Sequence, residues 1–290
     1  MDAFSLTKWY LDVTDDQGRS AVAYWTRVAW GPLALGWEGL TRHDAAGPAR
    51  HRSSFAVATE PGWVNGRLEW RSRGLGCHVA CEPWSPPFES TLLDSPEGSI
   101  EWGCQVPGGT VTVDAGDGCP IRGSGYAERL VLTIVPWRLP ITELRWGRWL
   151  SPRTRRSVVW IDWRGAHPLT LVLDRGCPQP AAVVDDERVA FGGQPPAGDR
   201  APGNLTRNVL RLDAPATLYT RTLSEMLRGL GPLASRLPAS WLAVEDLKRR
   251  SLGILRGNGV GVTEAAGETE AETGWAIHEV VRFPAERVSP

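Results

Sequence analysis

The chain has 290 residues, of which 42% are hydrophobic, and its formal net charge is −1. This composition predicts a folded protein large enough for two domains, and it excludes an acidic disordered chain and a generally basic nucleic-acid binder. No run approaches the roughly 20 apolar residues of a membrane-spanning helix. Tryptophan is the unusual residue, because it supplies 15 of the aromatic side chains while Tyr and Phe supply only 4 and 5.

Alternation of apolar and polar residues with period two is the dominant pattern along the chain. Residues 64–71 alternate in this way with Trp70 on the apolar side, which predicts one half-buried strand. Residues 99–106 repeat the pattern and place Trp102 and Val106 on one predicted face. Further short strands are predicted near residues 20–30, 51–59, 110–114, 126–135, 157–164, 168–174, 205–212, 216–222 and 274–283.

Helical periodicity is limited to the C-terminal half. Leucines recur at helical spacing in residues 223–230, and a second short helix is predicted near residues 241–248. The many strands and turns predict an all-β protein with two antiparallel β-barrel or half-barrel domains packed together and one or two short helices. The glycine-rich segment before residue 118 predicts a boundary between an N-terminal domain, residues 1–117, and a C-terminal domain, residues 118–290.

The five cysteines predict free thiols and a cytoplasmic location, because their number is odd and the chain does not start like a secretory signal. Cys77, His78 and Cys81 are three metal-ligand types within five residues, yet no second pair completes a tetrahedral site. Buried thiols are the favoured interpretation, and we expect no metal.

Several motifs are missing from the sequence. There is no GxGxxG, no GxxxxGK[ST] and no GxSxG, so we expect no cofactor and disfavour nucleotide-driven and α/β-hydrolase chemistry. Nucleic acid is not an expected partner. Residues 135–150 mix tryptophan with arginine, but nearby acids balance the positive charge of these arginines. Peripheral membrane contact and the oligomeric state stay open.

Three acidic residues are candidates for acid–base chemistry because each lies on an apolar side of a predicted strand. Glu128 shares a predicted face with Tyr126, Asp162 with Trp160, and Glu279 with Trp275. A carboxyl group among apolar neighbours has a raised pKa, which suits a general acid or base near neutral pH. The alternative for Glu128 is a structural ion pair with an arginine such as Arg145 or Arg148. The HExxH motif is excluded because position 282 is arginine.

The tryptophans close to these acids predict a ligand pocket. A tryptophan face attracts cations, including transient carbocations, although each indole can equally be packed core. The side chains expected to contact a ligand are Tyr126, Trp137, Arg145, Trp146, Trp160 and Trp275.

Four segments resemble the lipocalin-like family that contains carotenoid 1,2-hydratase (hydroxyneurosporene synthase) and its bacterial relatives. They read KWYLDVTDDQGRSAVAYWTRVAWG, GSGYAERLVLTIVPWRLPITELRWGRWL, VVWIDWRG and GWAIHEVVRFP. The resemblance implies two lipocalin-like domains and a cofactor-independent hydratase or cyclase that acts on a carbon–carbon double bond of an apolar prenoid- or polyene-like molecule.

The resemblance also implies roles for individual residues. Glu128 would protonate the alkene, Trp146 and Trp160 would stabilise the cation, and Asp162 or Glu279 would deprotonate water. Two alternatives stay open at this point: a non-catalytic binder of an apolar small molecule, and a structural protein whose barrels are filled by their own side chains.

Overall fold

Antiparallel strands account for nearly all of the computed structural model, which describes residues 4–44, 49–55, 59–192, 208–226, 242–257 and 271–283. As the period-two alternation predicts, the strands form two curled half-barrel sheets of the lipocalin-like type. Contacts divide the chain into two units, residues 1–139 with 152–156 and residues 140–151 with 157–290. Each unit contains one sheet.

The first sheet has ten strands in the order β4-β3-β2-β1-β10-β9-β7-β6-β5, and β8 pairs with β9 outside this path. The strands are β1 (Phe4–Thr14), β2 (Ser20–Trp30), β3 (Leu33–His43), β4 (Arg50–Ser54), β5 (Gly62–Val64), β6 (Arg67–Ser72), β7 (Cys77–Pro83), β8 (Phe88–Ser95), β9 (Gly98–Asp114) and β10 (Ile121–Leu132).

The second sheet has nine strands in the order β14-β13-β12-β11-β19-β18-β17-β16-β15. The strands are β11 (Ile141–Ser151), β12 (Arg156–Gly165), β13 (Leu169–Asp174), β14 (Cys177–Pro178), β15 (Val183–Val184), β16 (Arg188–Phe191), β17 (Asn208–Thr222), β18 (Glu245–Gly257) and β19 (Glu272–Arg282).

The two sheets share one topology. In each, the first strand pairs with the last, β1 with β10 and β11 with β19, as in a closed up-and-down barrel. The break in the ring lies between consecutive strands, β4 and β5 in one sheet and β14 and β15 in the other. The sequence shows no residue-level repeat because this topology constrains which face a side chain occupies rather than its identity.

The domain boundary after residue 117 stays a prediction. The strand that follows it, β10, lies in the first sheet between β1 and β9, and the division by contacts comes after residue 139. The glycine-rich segment that suggested the boundary connects β9 to β10 within one sheet. The composition of a turn does not indicate whether the next strand joins the same sheet or another one.

The structure corrects the predicted elements at residues 64–71 and 241–248. Residues 64–71 form a hairpin rather than one strand, because Asn65 and Gly66 have φ values of 50° and 76°, a conformation that an Asn-Gly turn favours. The helix predicted near residues 241–248 is replaced from Glu245 onward by β18, which pairs with both β17 and β19. Pairing on both edges outweighs the weak helical preference of this segment.

The helices are short. A 3₁₀ helix spans Pro136–Arg138, and α1 spans Leu223–Met226 at the start of the predicted helix, whose residues 227–230 lie outside the described part of the chain. No helix in the described ranges is long and apolar enough to cross a bilayer.

Each sheet packs an apolar core against one of its faces. The first core takes Leu11 of β1 and Ala127 of β10, which lie opposite each other. The second core takes Trp149 of β11 and Ala276 of β19, which are also directly paired. Because side chains alternate along a strand, the neighbours of these residues lie on the second face of their sheet.

Candidate functional site

Glu128 lies on the face of the first sheet that is opposite the first core. It pairs with Tyr10 of β1, and Tyr126 pairs with Asp12, so these four side chains lie on one face. Although this face lies away from the apolar core, Asp12 and Tyr126 have no exposed surface and Glu128 is 8% exposed. The sequence predicted that Glu128 and Tyr126 share a face but placed them among aliphatic side chains. Their hydrogen-bonding neighbours are aromatic and polar, although Leu130 lies on the same face.

Two donors hold one oxygen of Glu128. The indole Nε1 of Trp102 donates to Oε2 at 2.7 Å, and the hydroxyl of Tyr126 donates to the same atom at 2.8 Å. Burial raises the pKa of Tyr126 well above its ordinary value, and the neighbouring Cys104 and Glu128 add to this effect. Tyr126 therefore stays protonated near neutral pH and remains a donor.

A second carboxyl group lies beside this one with a matching partner. The Tyr10 hydroxyl donates to Asp12 Oδ2 at 2.8 Å, as Tyr126 does to Glu128. The Tyr10 and Tyr126 rings have centroids 6.1 Å apart. Each of the two strands thus carries a tyrosine whose hydroxyl donates to an acid two residues later on the same strand. The antiparallel register places each tyrosine opposite the acid of the other strand. We call these four residues the two-acid cluster.

Bulges in β9 bring Trp102 to the cluster. The pairing of β9 with β10 shifts register on both sides of Ala127, which pairs with Val106. Val106 consequently lies in the first core, whereas Trp102 pairs with Leu130 and lies on the Glu128 face. The predicted alternation put Trp102 and Val106 on one face, and that prediction is wrong because the bulge between them adds one residue to β9.

Asp162 and Glu279 lie on opposite faces of the second sheet. Asp162 follows Val158 and Trp160 of the second core along the same side of β12. There it accepts a hydrogen bond from Thr170 Oγ1 at 2.6 Å, and Arg164 Nε lies 3.6 Å from its other oxygen. Glu279 lies on the second face, because Ala276 of the same strand belongs to the core. The two acids therefore cannot both line a site on a single face of this sheet.

Glu279 is part of a row that crosses four strands. Trp146 pairs with Glu279, Glu279 with Lys248, and Lys248 with Tyr219. Lys248 Nζ lies 2.5 Å from Glu279 Oε2, 5.1 Å from the Trp146 ring centre and 5.9 Å from the Tyr219 ring centre. Lys248 has no exposed surface. We call these four residues the Lys248 row; it is a buried ion pair between two aromatic rings.

The other residues expected at a pocket have separate surroundings. Arg145 forms ion pairs with Glu143 at 2.8 Å and Asp186 at 2.9 Å. The centre of the Trp137 ring lies 5.5 Å from that of Trp30, and Trp160 lies in the second core over Gly147. Trp275 accepts a hydrogen bond at its carbonyl from Arg148 Nη1 at 2.8 Å, and the Arg250 guanidinium lies 5.2 Å from its ring centre.

Sequence reasoning missed Tyr10, Asp12 and Lys248. One pattern could have revealed the lysine. Lys8 and Lys248 are the only lysines among 32 basic residues, and both lie beside a tyrosine ring, Lys8 at 5.3 Å from the Tyr24 centroid. In a chain that otherwise uses arginine, a retained lysine indicates a position where a compact ammonium group fits and a planar guanidinium does not.

Sequence reasoning also missed the acid Glu38. It is 1% exposed and lies on the core side of the first sheet, opposite Trp25. Ser72 donates to it at 2.6 Å, but burial has the larger effect and raises its pKa.

Because His278 is buried, the free energy of unfolding depends on pH in the acid range. This histidine lies on the core side of β19, where its Nε2 is 2.9 Å from Ser251 Oγ, and burial lowers its pKa to about 4. The unfolded chain binds this proton near pH 6.5 and the folded chain does not, so stability falls as the pH drops from 6.5 to 4. We expect His278→Gln to remove about 3 kcal/mol of that loss. Urea unfolding across this range checks it, with exposed His167→Gln as the control, and equal pH slopes for His278→Gln and wild type would contradict it.

The cysteines are free thiols, as the sequence predicts. Cys77 and Cys81 lie in the first core, while His78 lies on the opposite side of β7, so the three side chains do not converge. Burial raises the pKa of Cys77 to about 11 and raises those of Cys81 and Cys104 further.

Thiol labelling should follow this division. In native protein a disulfide reagent should modify only exposed Cys119 and Cys177 rapidly, and the three buried thiols should react after denaturation. The check is a count of thiolate released from the reagent with time. The slow thiols should become reactive together when urea unfolds the first unit. A native burst of three or more equivalents would show that a buried thiol is accessible.

Comparison with known proteins supports the fold. No protein-family model and no curated protein matches the chain. Among solved structures, it is similar to CghA determined with Sch210972, with a TM-score of 0.51 and 11% identity over 97% of this chain and 89% of that one. It is also similar to kievitone hydratase from Nectria haematococca, with a TM-score of 0.49 and 6% identity over 97% and 89%. At 11% identity the likeness to CghA concerns the fold alone, and the resemblance to the carotenoid 1,2-hydratase family stays a prediction.

Proposed function

We propose that this protein is a cofactor-independent acid–base enzyme of the hydratase or cyclase type, acting on a carbon–carbon double bond of an apolar prenoid- or polyene-like molecule. The observation that carries the proposal is the two-acid cluster, in which two buried carboxyl groups each accept a hydrogen bond from a tyrosine on the same strand. Carboxyl groups positioned by fixed donors are suited to general acid and base roles.

Glu128 is the proposed acid. Because Trp102 and Tyr126 both donate to Oε2, a carboxylic acid at this position carries its proton on Oε1. Transfer of that proton to one alkene carbon forms a C–H bond, uses the π electrons, and leaves a cation on the neighbouring carbon. The rings of Tyr10 and Tyr126 provide aromatic faces beside the acid, and such faces stabilise a nearby cation.

Asp12 is the proposed base. It lies diagonally across the strand pair from Glu128 on the same face, a relation that corresponds to about 7–8 Å between backbones. In hydration, water bonds to the cation and its extra proton goes to a carboxylate. In cyclisation, a second double bond attacks the cation, and the proton leaves from an adjacent carbon. Asp162 and Glu279, the bases suggested by sequence, stay predictions.

The experiment couples isotope incorporation to matched variants. The protein is incubated with a panel of acyclic prenoid and polyene alkenes in ¹⁸O-labelled water and in D₂O, and products are analysed by mass spectrometry. Hydration adds ¹⁸O, whereas cyclisation conserves mass in ordinary water and gains deuterium in D₂O. Glu128→Gln and Asp12→Asn should each lower turnover at least about 100-fold. Glu97→Gln, which replaces an exposed acid in the same unit, should keep wild-type turnover.

Two results separate this proposal from its rival. Full turnover by Glu128→Gln would refute the acid assignment. Tight binding of an alkene without label or rearrangement in the wild type would identify a non-catalytic binder. Because loss of a hydrogen-bonded buried acid can also perturb folding, the thermal midpoint of each variant is measured beside its activity.

A further inference from the structure

Strand β9 reaches the carboxyl group of Glu128 by two routes. The first is direct, because the Trp102 indole donates to Oε2 at 2.7 Å. The second passes through Tyr126, whose hydroxyl donates to the same oxygen at 2.8 Å and is also hydrogen-bonded to the thiol of Cys104. Trp102 and Cys104 are two residues apart on β9, and they are 3% and 0% exposed. One strand therefore supplies both ends of a buried hydrogen-bond network.

The second route has a fixed direction. A tyrosine hydroxyl carries a single hydrogen. Because Tyr126 donates that hydrogen to Glu128, its oxygen accepts from Cys104, and the thiol is the donor. Burial raises the pKa of Cys104 well above its ordinary value, so the hydrogen stays on sulfur near neutral pH. The network thus runs from the Cys104 thiol through the Tyr126 hydroxyl to Glu128 Oε2.

The backbone of β9 is irregular where the two donors lie. Residues 103–106 face residues 127–129 of β10, so β9 contains one extra residue there. Such a bulge changes the direction of side chains, and bulges are frequent beside functional sites. On β8, Phe88 pairs with Cys104, and its ring packs edge-on against Trp102 with centroids 6.1 Å apart. The bulge and this aromatic contact together hold the donors in place.

We propose that Trp102 and Cys104 are positioning residues, which keep Oε2 of Glu128 as the accepting oxygen and leave Oε1 to carry the proton of the acid. Trp102 acts on the carboxyl group directly, and Cys104 acts through Tyr126. Consecutive hydrogen bonds strengthen one another, so loss of the thiol weakens the bond from Tyr126 to Glu128. The catalytic consequence rests on the proposed function, whereas the state of the carboxyl group can be measured without a substrate.

The experiment is a pH titration by nuclear magnetic resonance of the full chain labelled with ¹³C at the glutamate carboxyl groups. The Glu128 resonance is the one missing from Glu128→Gln. Hydrogen bonds to a carboxylate favour its charged form. Trp102→Phe, which keeps a ring but lacks the N–H, should therefore raise the titration midpoint by at least about one pH unit. Cys104→Ala should raise it less, and Cys104→Ser, which restores a donor, should return it toward the wild-type value.

Matched controls separate positioning from packing. Trp84→Phe removes another indole N–H of the first unit, which donates to Thr110 Oγ1 at 3.2 Å. Cys81→Ala removes another thiol without exposed surface, in the first core. Both should keep the wild-type midpoint, and circular dichroism tests the fold of each variant. The ionisable neighbours that the described strands β1 and β2 place on this face are the same in every variant: Lys8, Tyr10, Asp12 and Tyr24.

Turnover provides the second readout. Because the proposed acid works in its protonated form, the pH at which turnover falls should move upward in Trp102→Phe together with the titration midpoint. An unchanged midpoint in Trp102→Phe would overturn the proposal, as would equal shifts for Cys81→Ala and Cys104→Ala. Failure of the proposed function gives a different result, in which the midpoints shift as expected but the wild-type protein converts no alkene.

Discussion

Lys248→Met is expected to lower the free energy of unfolding by about 3–5 kcal/mol, because it leaves the Glu279 carboxylate buried without its cation. The change also removes the ammonium group that lies between the Trp146 and Tyr219 rings. Methionine matches the length of the lysine stem, so the loss reports charge rather than packing. Urea unfolding at neutral pH measures it.

A double variant and a surface control make this result specific. Lys248→Met/Glu279→Gln should recover at least half of the loss, since it removes the uncompensated charge as well. The Arg188–Asp185 pair is also within hydrogen-bond distance, at 2.8 Å, but its side chains are 61% and 39% exposed. Arg188→Met should therefore change stability by less than about 1 kcal/mol. Equal losses for Lys248→Met and Arg188→Met would contradict the interpretation of the Lys248 row as a buried ion pair.

Gly253→Ala is expected to destabilise the second unit by about 2–3 kcal/mol through overpacking. A Cβ at this position would lie 2.1 Å from Cδ1 of Trp149. The Trp149 ring cannot move away freely, because it is fully buried and its Nε1 donates to the Gly253 carbonyl at 3.0 Å. The measurement is thermal and urea unfolding, with near-UV circular dichroism to follow the displaced indole.

The control for Gly253→Ala is another strand glycine with open space. At Gly62 an added Cβ meets no heavy atom within 4 Å, and Gly62→Ala should leave stability unchanged within about 0.5 kcal/mol. Wild-type stability in Gly253→Ala would show that the indole does not lie on this glycine.

The sequence predicts the all-β fold because the two faces of each strand differ in polarity, a property that any short segment displays. It also identifies Glu128 and Glu279 as acids on strand faces whose other residues are mainly apolar. It does not predict that Tyr10 lies opposite Glu128, since that register depends on pairing between β1 and β10, which are more than 100 residues apart in the sequence. Nor does alternation reveal the bulges in β9 that direct Trp102 toward Glu128. The glycines and the proline inside β9 indicate that bulges can form there, but they do not show how the phase of the pattern changes.

The strand order also sets a constraint on folding. In the second sheet, β19 lies between β11 and β18, so the strand of that sheet that is synthesised last occupies its middle. Until residues 272–282 are available, β11 and β18 each expose an unpaired edge that can pair with another chain. The first sheet has the same dependence on β10. Since closing such long loops is slow, we expect refolding to be limited by insertion of these two strands and its yield to fall with increasing protein concentration.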